Sequence, residues 1–107
     1  MIVKLLTNKA LDQFDIQDAT NRFEQLHNLV LEECNENPPI PISNEELADI
    51  MKYCIQNLDA LSEYKDQADS CRKSGTCIDL VDRYYDTVKA YLSLGDAADY
   101  IMKFNRL

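Results

Sequence analysis

The chain has no tryptophan, one histidine, two glycines and three prolines among its 107 residues. Because glycine and proline interrupt helices, their scarcity leaves long stretches in which a helix can run unbroken. No apolar run approaches about 20 residues, the length needed to span a bilayer. The first residues also lack the apolar length and the small-residue cleavage site of a signal peptide. We therefore expect a cytoplasmic protein without a membrane segment.

Basic residues are scarce as well: eleven Lys and Arg face nineteen Asp and Glu, which gives a net charge of −8. Such a surface repels nucleic acid and anionic lipid, so neither is expected as a direct partner. With 46% hydrophobic and 28% charged residues, the composition is typical of a globular protein. The length corresponds to one domain, residues 1–107.

The single histidine argues against a metal site. Glu24 and His27 have the Glu-x-x-His spacing of carboxylate-bridged di-iron helices, but that site needs a second such element. His27 could also pair with Cys54 as base and nucleophile, yet both positions are mid-helix and no glycine-rich turn presents them. The sequence therefore predicts no metal, no cofactor and no enzymatic activity.

The four cysteines are best explained as reduced thiols in a cytoplasmic core. Cys54 and Cys71 lie about 25 Å apart on one predicted helix, and no Cys-x-x-Cys occurs, so the four cysteines, Cys34 included, cannot together bind one zinc ion. Cys71 and Cys77 flank a predicted turn, where a redox-sensitive disulfide is the alternative.

Both glycines precede a segment that resembles a helix start, Gly75–Asp79 (GTCID) and Gly95–Asp99 (GDAAD). Glycine tolerates the left-handed conformation just past a helix end, and Thr or Asp followed by an acid three residues later is a common N-cap pattern. The two segments therefore predict that one helix ends and another begins at each glycine.

Apolar residues follow a helical period between these breaks. Asp15 and Asp18 form a cap-like pair before one predicted helix, which the proline-rich segment 35–41 ends, and Ser43 and Glu46 form a capping box before the next. The first 14 residues are predicted helical with Thr7 as a cap, although residues 1–7 could equally form a strand. The predicted fold is all-α: an antiparallel helical bundle with a three-helix core over roughly residues 16–36, 44–74 and 77–94, and shorter terminal helices.

Acidic residues form rows on two of the predicted helices, and a turn at Gly75 would bring these rows together. Carboxylates at such spacing can occupy Arg and Lys sites that normally bind phosphates. An ordinary solvated face, interrupted by Lys65, Arg72 and Arg83, is the alternative explanation. The candidate acidic partner-binding face consists of Asp59, Glu63, Asp66, Asp79, Asp82 and Asp86.

The helix after Gly75 carries apolar residues around much of its circumference, more than one neighbouring helix covers. Either the terminal helices complete its burial, or the excess is a contact face for another protein or a second copy. The candidate apolar docking face consists of Leu80, Tyr84, Tyr85, Tyr91 and Leu92.

These features predict a small acidic, non-enzymatic interaction or regulatory protein that docks a helical face on a protein partner. The alternative is an acidic nucleic-acid mimic, of the type found in mobile elements, that inhibits a DNA- or RNA-binding enzyme. In that case the partner is a basic nucleic-acid-binding protein. A homodimer is a further possibility, and nothing in the sequence identifies the partner.

Overall fold

The fold is described from a computed structural model, which covers residues 4–33 and 40–106. All regular structure in these ranges is helical, which confirms the predicted all-α bundle. The helices are α1 (Asn8–Leu11), α2 (Ile16–Glu33), α3 (Asn44–Ser62), α4 (Lys65–Ser74) and α5 (Ile78–Asn105). Within the same ranges, no helix has the length and apolar character needed to cross a membrane.

Some predictions concern residues outside the described ranges. These are the secondary structure of residues 1–3, the helix end near residue 36 with most of its proline stop, and the state of Cys34. Within the predicted N-terminal helix, only Asn8–Leu11 is helical, and residues 4–7 have no regular structure.

Three predicted helix starts are confirmed by side-chain caps. The Ala10 amide donates to Thr7 Oγ1 at 3.0 Å, the Asp18 amide to Asp15 Oδ1 at 2.9 Å, and the Glu46 amide to Ser43 Oγ at 3.1 Å. Each cap satisfies an amide that has no acceptor within its own helix. These starts depend on residues three positions apart and were therefore readable from the sequence.

The predicted long helix over residues 44–74 is wrong in one respect, because it is interrupted at Glu63 and Tyr64. There the Glu63 and Tyr64 amides donate to carbonyls three residues back, at 3.4 and 3.0 Å, instead of four. This tighter turn ends α3 without glycine or proline. The Leu61 carbonyl accepts both the Tyr64 amide and, at 3.1 Å, the hydroxyl of Tyr84 on α5. The interruption is therefore stabilised by a residue far away in sequence.

Gly75 ends α4 as predicted, in the left-handed conformation with φ of +70°. The Thr76 amide donates to the Cys71 carbonyl at 3.0 Å, which satisfies an acceptor of the last turn. The predicted Thr76 cap is wrong, because its hydroxyl lies 2.8 Å from the Ser74 hydroxyl. The residue before α5 is instead Cys77, which is also left-handed and forms no side-chain cap.

The predicted helix end at Gly95 is wrong, since α5 continues through it to Asn105. A glycine inside a helix costs about 1 kcal/mol relative to alanine. Continuation buries Leu94, Ala98 and Ile101 on one face, which outweighs that cost. Gly95 also packs closely against α3, because a Cβ built on it would lie 3.6 Å from Cys54 Cβ.

Helix α5 is the centre of the bundle, and each of the other four helices packs against it. The buried residues of α5 are Val81, Tyr84, Thr87, Tyr91, Leu94, Ala98 and Ile101. Arg83 attaches α1 to α5 through hydrogen bonds to the Asn8 carbonyl and side chain and an ion pair with Asp12. Helix α1 therefore covers part of α5, whereas the predicted C-terminal helix is the last part of α5 itself and cannot cover it.

The end of α5 is attached to the chain that enters α3. The Asn105 side chain accepts from the Ile40 amide at 2.8 Å and donates to the Ile40 carbonyl at 3.2 Å. Ile40 is almost fully buried. The amide side chain therefore satisfies both backbone groups of a buried residue that lies outside any helix.

The two glycines are expected to respond oppositely to alanine. Gly75→Ala forces a Cβ into the left-handed conformation and should lower the free energy of unfolding by about 1 kcal/mol. Gly95→Ala should raise it by about 0.5–1 kcal/mol, because its methyl group meets Cys54 at an ordinary contact distance. Urea denaturation of both variants tests this. A decrease for Gly95→Ala would show that this position cannot accept a side chain.

Loss of the Asn105 side chain is expected to destabilise the fold. Asn105→Ala removes two hydrogen bonds to Ile40 and should lower the free energy of unfolding by about 1–2 kcal/mol. Asn105→Asp keeps only an acceptor for the Ile40 amide, so its free energy of unfolding should lie between those of Asn105→Ala and the unchanged chain. Asn28→Ala, at an exposed position of α2, is the control and should change stability by less than about 0.5 kcal/mol. Equal effects at both asparagines would contradict the role of Asn105.

Candidate partner-binding surfaces

Two tyrosines of the predicted apolar docking face lie in the core and present no surface. Tyr91 is fully buried, with its ring edge-on to Phe14 and Tyr53 at centroid distances of 6.4 and 5.7 Å. Tyr84 is buried and donates its hydroxyl to the Leu61 carbonyl. Both side chains therefore stabilise the packing of α5 and are not available to a partner in this structure.

Two other members of that face are half-buried against the molecule itself. Leu80 packs on the core cluster. Tyr85 donates its hydroxyl to Asp69, and the Arg72 guanidinium lies over its ring, 5.7 Å from the centroid. Contacts with α4 thus hold Tyr85 in place. The hydrogen bond to Asp69 raises the pKa of the Tyr85 hydroxyl. Among the five predicted residues, Leu92 is the one that remains largely exposed, at 48%.

Leu92 borders an apolar groove between α3 and α5, which we call the α3/α5 groove. Ile55, 56% exposed, stands on α3 and lines the same groove, whose volume is about 240 Å³. Two large apolar side chains on facing helices thus meet solvent together. The full lining is Met51, Cys54, Ile55, Leu58, Tyr91, Leu92, Gly95, Asp96 and Asp99.

The floor of the α3/α5 groove is formed by small residues where the two helices approach. Gly95 has no side chain, and Cys54 contributes a short one that is almost fully buried. Burial raises the pKa of the Cys54 thiol to about 11, so the thiol is protonated at neutral pH. A protonated buried thiol behaves as a small apolar group and is a poor nucleophile.

The rim of this groove is acidic on the α5 side. Asp96 is exposed, and Asp99 is half-buried and forms an ion pair with Lys103 at 2.8 Å. On α3, the exposed Asp59 follows Leu58 and lies one helical turn from Ile55. The α3/α5 groove therefore combines an apolar centre with carboxylates at its edges.

The predicted acidic face is only partly free of internal partners. Asp59, Asp66 and Asp79 are exposed. Glu63 forms an ion pair with Lys4, and both side chains are about half exposed. An exposed pair of this kind contributes little to stability, but it reduces the local negative charge.

The remaining two acids of that face border different grooves. Asp82 lines a groove between α4 and α5 that also contains Arg72. Asp86 lines a groove between α2 and α5 that also contains Lys89. Each of these carboxylates is therefore accompanied by a base, and the two rows do not form one unbroken acidic surface.

Another opening, of about 640 Å³, lies between α2 and α3. At one end, Arg22 donates to Asp18 at 2.9 Å, and Asp18 also accepts the Tyr53 hydroxyl at 3.0 Å. The Arg22 guanidinium lies 4.7 Å from the Tyr53 ring centroid. This cluster connects α2 to α3 with its charges compensated, so it is explained as a structural contact between the helices. The sequence prediction did not include it.

The structure separates the residues that were considered for metal or nucleophilic chemistry. His27 is exposed and stacks on Phe23, with ring centroids 5.8 Å apart, whereas Cys54 is buried. Cys54, Cys71 and Cys77 are free thiols. In residues 4–33 and 40–106, no group of three or more His, Cys, Asp or Glu is placed to hold a metal ion.

No protein-family model matches the chain, and neither curated proteins nor solved structures include a match.

Stability should fall at alkaline pH. Burial raises the pKa of Cys54 to about 11 and also raises the pKa values of Tyr84 and Tyr91 above those of an unfolded chain. Such groups favour folding below their unfolded values and lose that contribution as pH rises through the folded ones. The free energy of unfolding should be constant near pH 8 and decrease between about pH 9 and 11, by up to about 1.4 kcal/mol per pH unit for each group.

Urea denaturation across this pH range measures the effect. Cys54→Ala should reduce the slope, whereas Cys77→Ala, which removes an exposed thiol, should leave it unchanged. A slope that is the same in both variants would contradict a contribution from buried Cys54.

Proposed function

We propose that this protein is a non-enzymatic interaction protein that regulates a protein partner by docking the α3/α5 groove on it. The observation that carries this proposal is the pair Ile55 and Leu92, both about half exposed on facing helices. Single exposed apolar residues are common on protein surfaces, whereas adjacent ones that line a groove are typical of interaction sites.

Burial of this pair would supply part of the free energy of a docking contact. Complete burial of a Leu or Ile side chain contributes about 1.5–3 kcal/mol. Because each of the two is already about half covered, a partner that covers both would gain about 1.5–3 kcal/mol from them. Met51 and Leu58 extend the apolar centre, and the acidic rim resembles the polar border of protein interfaces.

Two further features support a non-enzymatic role in the cytoplasm. Cys54, the cysteine that lines the groove, is a poor nucleophile because burial raises the pKa of its thiol. The free thiols of Cys71 and Cys77, at the α4–α5 turn, suit a reducing compartment. We therefore propose that the protein acts there by occupying a partner.

A nucleic-acid mimic remains the alternative proposal. It would use the acidic face, of which Asp79 is exposed while Asp82 and Asp86 border grooves that contain bases. The mimic depends on charge alone, so its complex should dissociate as salt rises, whereas docking through apolar side chains should persist.

The test is capture of partners by the 107-residue chain, followed by measurement of the mass of each complex. Leu92→Gln and Ile55→Gln should weaken the captured complex about five- to tenfold, because each removes apolar contact area. The matched control is Ile78→Gln, which changes an apolar residue of α5 that is 62% exposed outside the groove. It should leave the complex unchanged.

Three outcomes would contradict the proposal. Equal binding by all three glutamine variants would exclude the groove, and a mass equal to two copies of this chain would replace the partner by a homodimer. Loss of binding on reversal of Asp79, Asp82 and Asp86 to Lys, with binding retained by Leu92→Gln, would favour the mimic.

A further inference from the structure

We propose that the occupant of the α3/α5 groove is a basic amphipathic helix of another protein. This inference rests on the docking function proposed above and adds the chemistry of the partner. It combines three observations: the direction of the groove, the bare backbone at its floor and the charge of its rim.

The groove runs along two antiparallel helices. Leu61 on α3 meets Tyr84 on α5, and Cys54 meets Gly95, so the residue numbers run in opposite directions along the interface. The α3 wall extends from Met51 to Leu58, about two helical turns or 10 Å. A helix that presents apolar residues three and four positions apart can lie lengthwise between two such walls.

Gly95 provides depth at the middle of the groove. Any larger residue there would direct its side chain towards Cys54 or into the groove, since even a Cβ reaches contact distance of the Cys54 side chain. With glycine, the space above Cys54 between Ile55 and Leu92 stays open. An apolar side chain of a bound helix can therefore reach the floor while its backbone lies along the two walls.

The charges around the groove select a basic occupant. Asp96 and Asp99 line the groove, and its lining contains no Lys or Arg. Lys103 pairs with Asp99, so Asp96, which has no ion-pair partner in the described ranges, is left to attract a Lys or Arg that flanks an apolar stripe. On α3, Asp59 and Lys52 each lie about one helical turn from Ile55 outside that lining. A second copy of this chain would bring the same carboxylates to the groove, and two chains that each have a net charge of −8 would repel each other. Nucleic acid and anionic membranes would be repelled for the same reason.

The probes are three helical peptides of about 14 residues, or four turns, with one shared apolar face. Their flanking positions carry Lys, Gln or Glu. Fluorescence anisotropy with the 107-residue chain measures their dissociation constants at about 0.05 M and about 0.5 M salt. At low salt, the dissociation constant of the Lys peptide should be at least about tenfold lower than that of the Gln peptide, and the Glu peptide should bind most weakly. The ratio of the dissociation constants of the Gln and Lys peptides should decrease at high salt, because salt screens the charges.

Variants locate the binding. Leu92→Gln and Ile55→Gln should weaken the Lys peptide about five- to tenfold, and Ile78→Gln should not. The double variant Asp59→Asn with Asp96→Asn should reduce the preference for Lys over Gln flanks. Its matched control, Asp79→Asn with Asp86→Asn, removes the same charge away from the groove, since Asp86 borders α2, and should keep the preference.

The outcomes separate this inference from the function on which it rests. Equal binding of the Lys and Gln peptides, or equal loss in both double variants, would overturn a basic occupant. If no peptide binds while a captured partner still depends on Leu92, the inference fails and the docking function stands. If the captured partner does not depend on Leu92 or Ile55, the docking function itself fails.

Discussion

The structure depends on one constraint, the uninterrupted course of α5 through the middle of the bundle. A helix of 28 residues is about 42 Å long, and it offers each of the other four helices a surface on which to bury its apolar side. If the chain turned at Gly95, Ala98 and Ile101 would leave the face that packs against α3. Because these residues are fully buried, the cost of a helical glycine is small beside the apolar surface that continuity removes from water.

Several polar side chains of α5 form hydrogen bonds with other parts of the chain and are therefore not available to a partner. Tyr84 satisfies a carbonyl at the α3–α4 interruption, Tyr85 is bound to α4 through Asp69, and Asn105 satisfies Ile40. The Tyr91 hydroxyl is buried beside the Tyr53 hydroxyl and the Asp15 backbone without a hydrogen bond of ordinary geometry. These contacts hold Tyr84, Tyr85 and Asn105 within the molecule and leave the α3/α5 groove as an apolar opening.

What the sequence could predict depends on how far apart the interacting residues are. The caps at Thr7, Asp15 and Ser43 and the turn at Gly75 need only neighbours within a few positions, and these predictions are confirmed. The end of α3 could not be predicted in this way because its stabilising partner, Tyr84, lies 23 residues along the chain from Leu61.

The same limit applies to the candidate surfaces. Gly95 resembles a helix boundary until its contact with Cys54 is known. The burial of Tyr91 depends on distant residues, Phe14 between α1 and α2 and Tyr53 on α3. Ile55 was missed because it stands beside the stripe of Met51, Cys54 and Leu58, although apolar residues at positions 51, 54, 55 and 58 are a signal for a helix covered on two sides.

The central position of α5 has a consequence for biosynthesis. It is the last of the five helices to leave the ribosome, yet it is the one against which the others bury their apolar faces. Until it emerges, α1 to α4 have little to pack on, so the core can form only after Asn105 has been made and can bind Ile40. The nascent chain therefore exposes apolar surface until α5 has emerged, and during that period its net negative charge opposes aggregation.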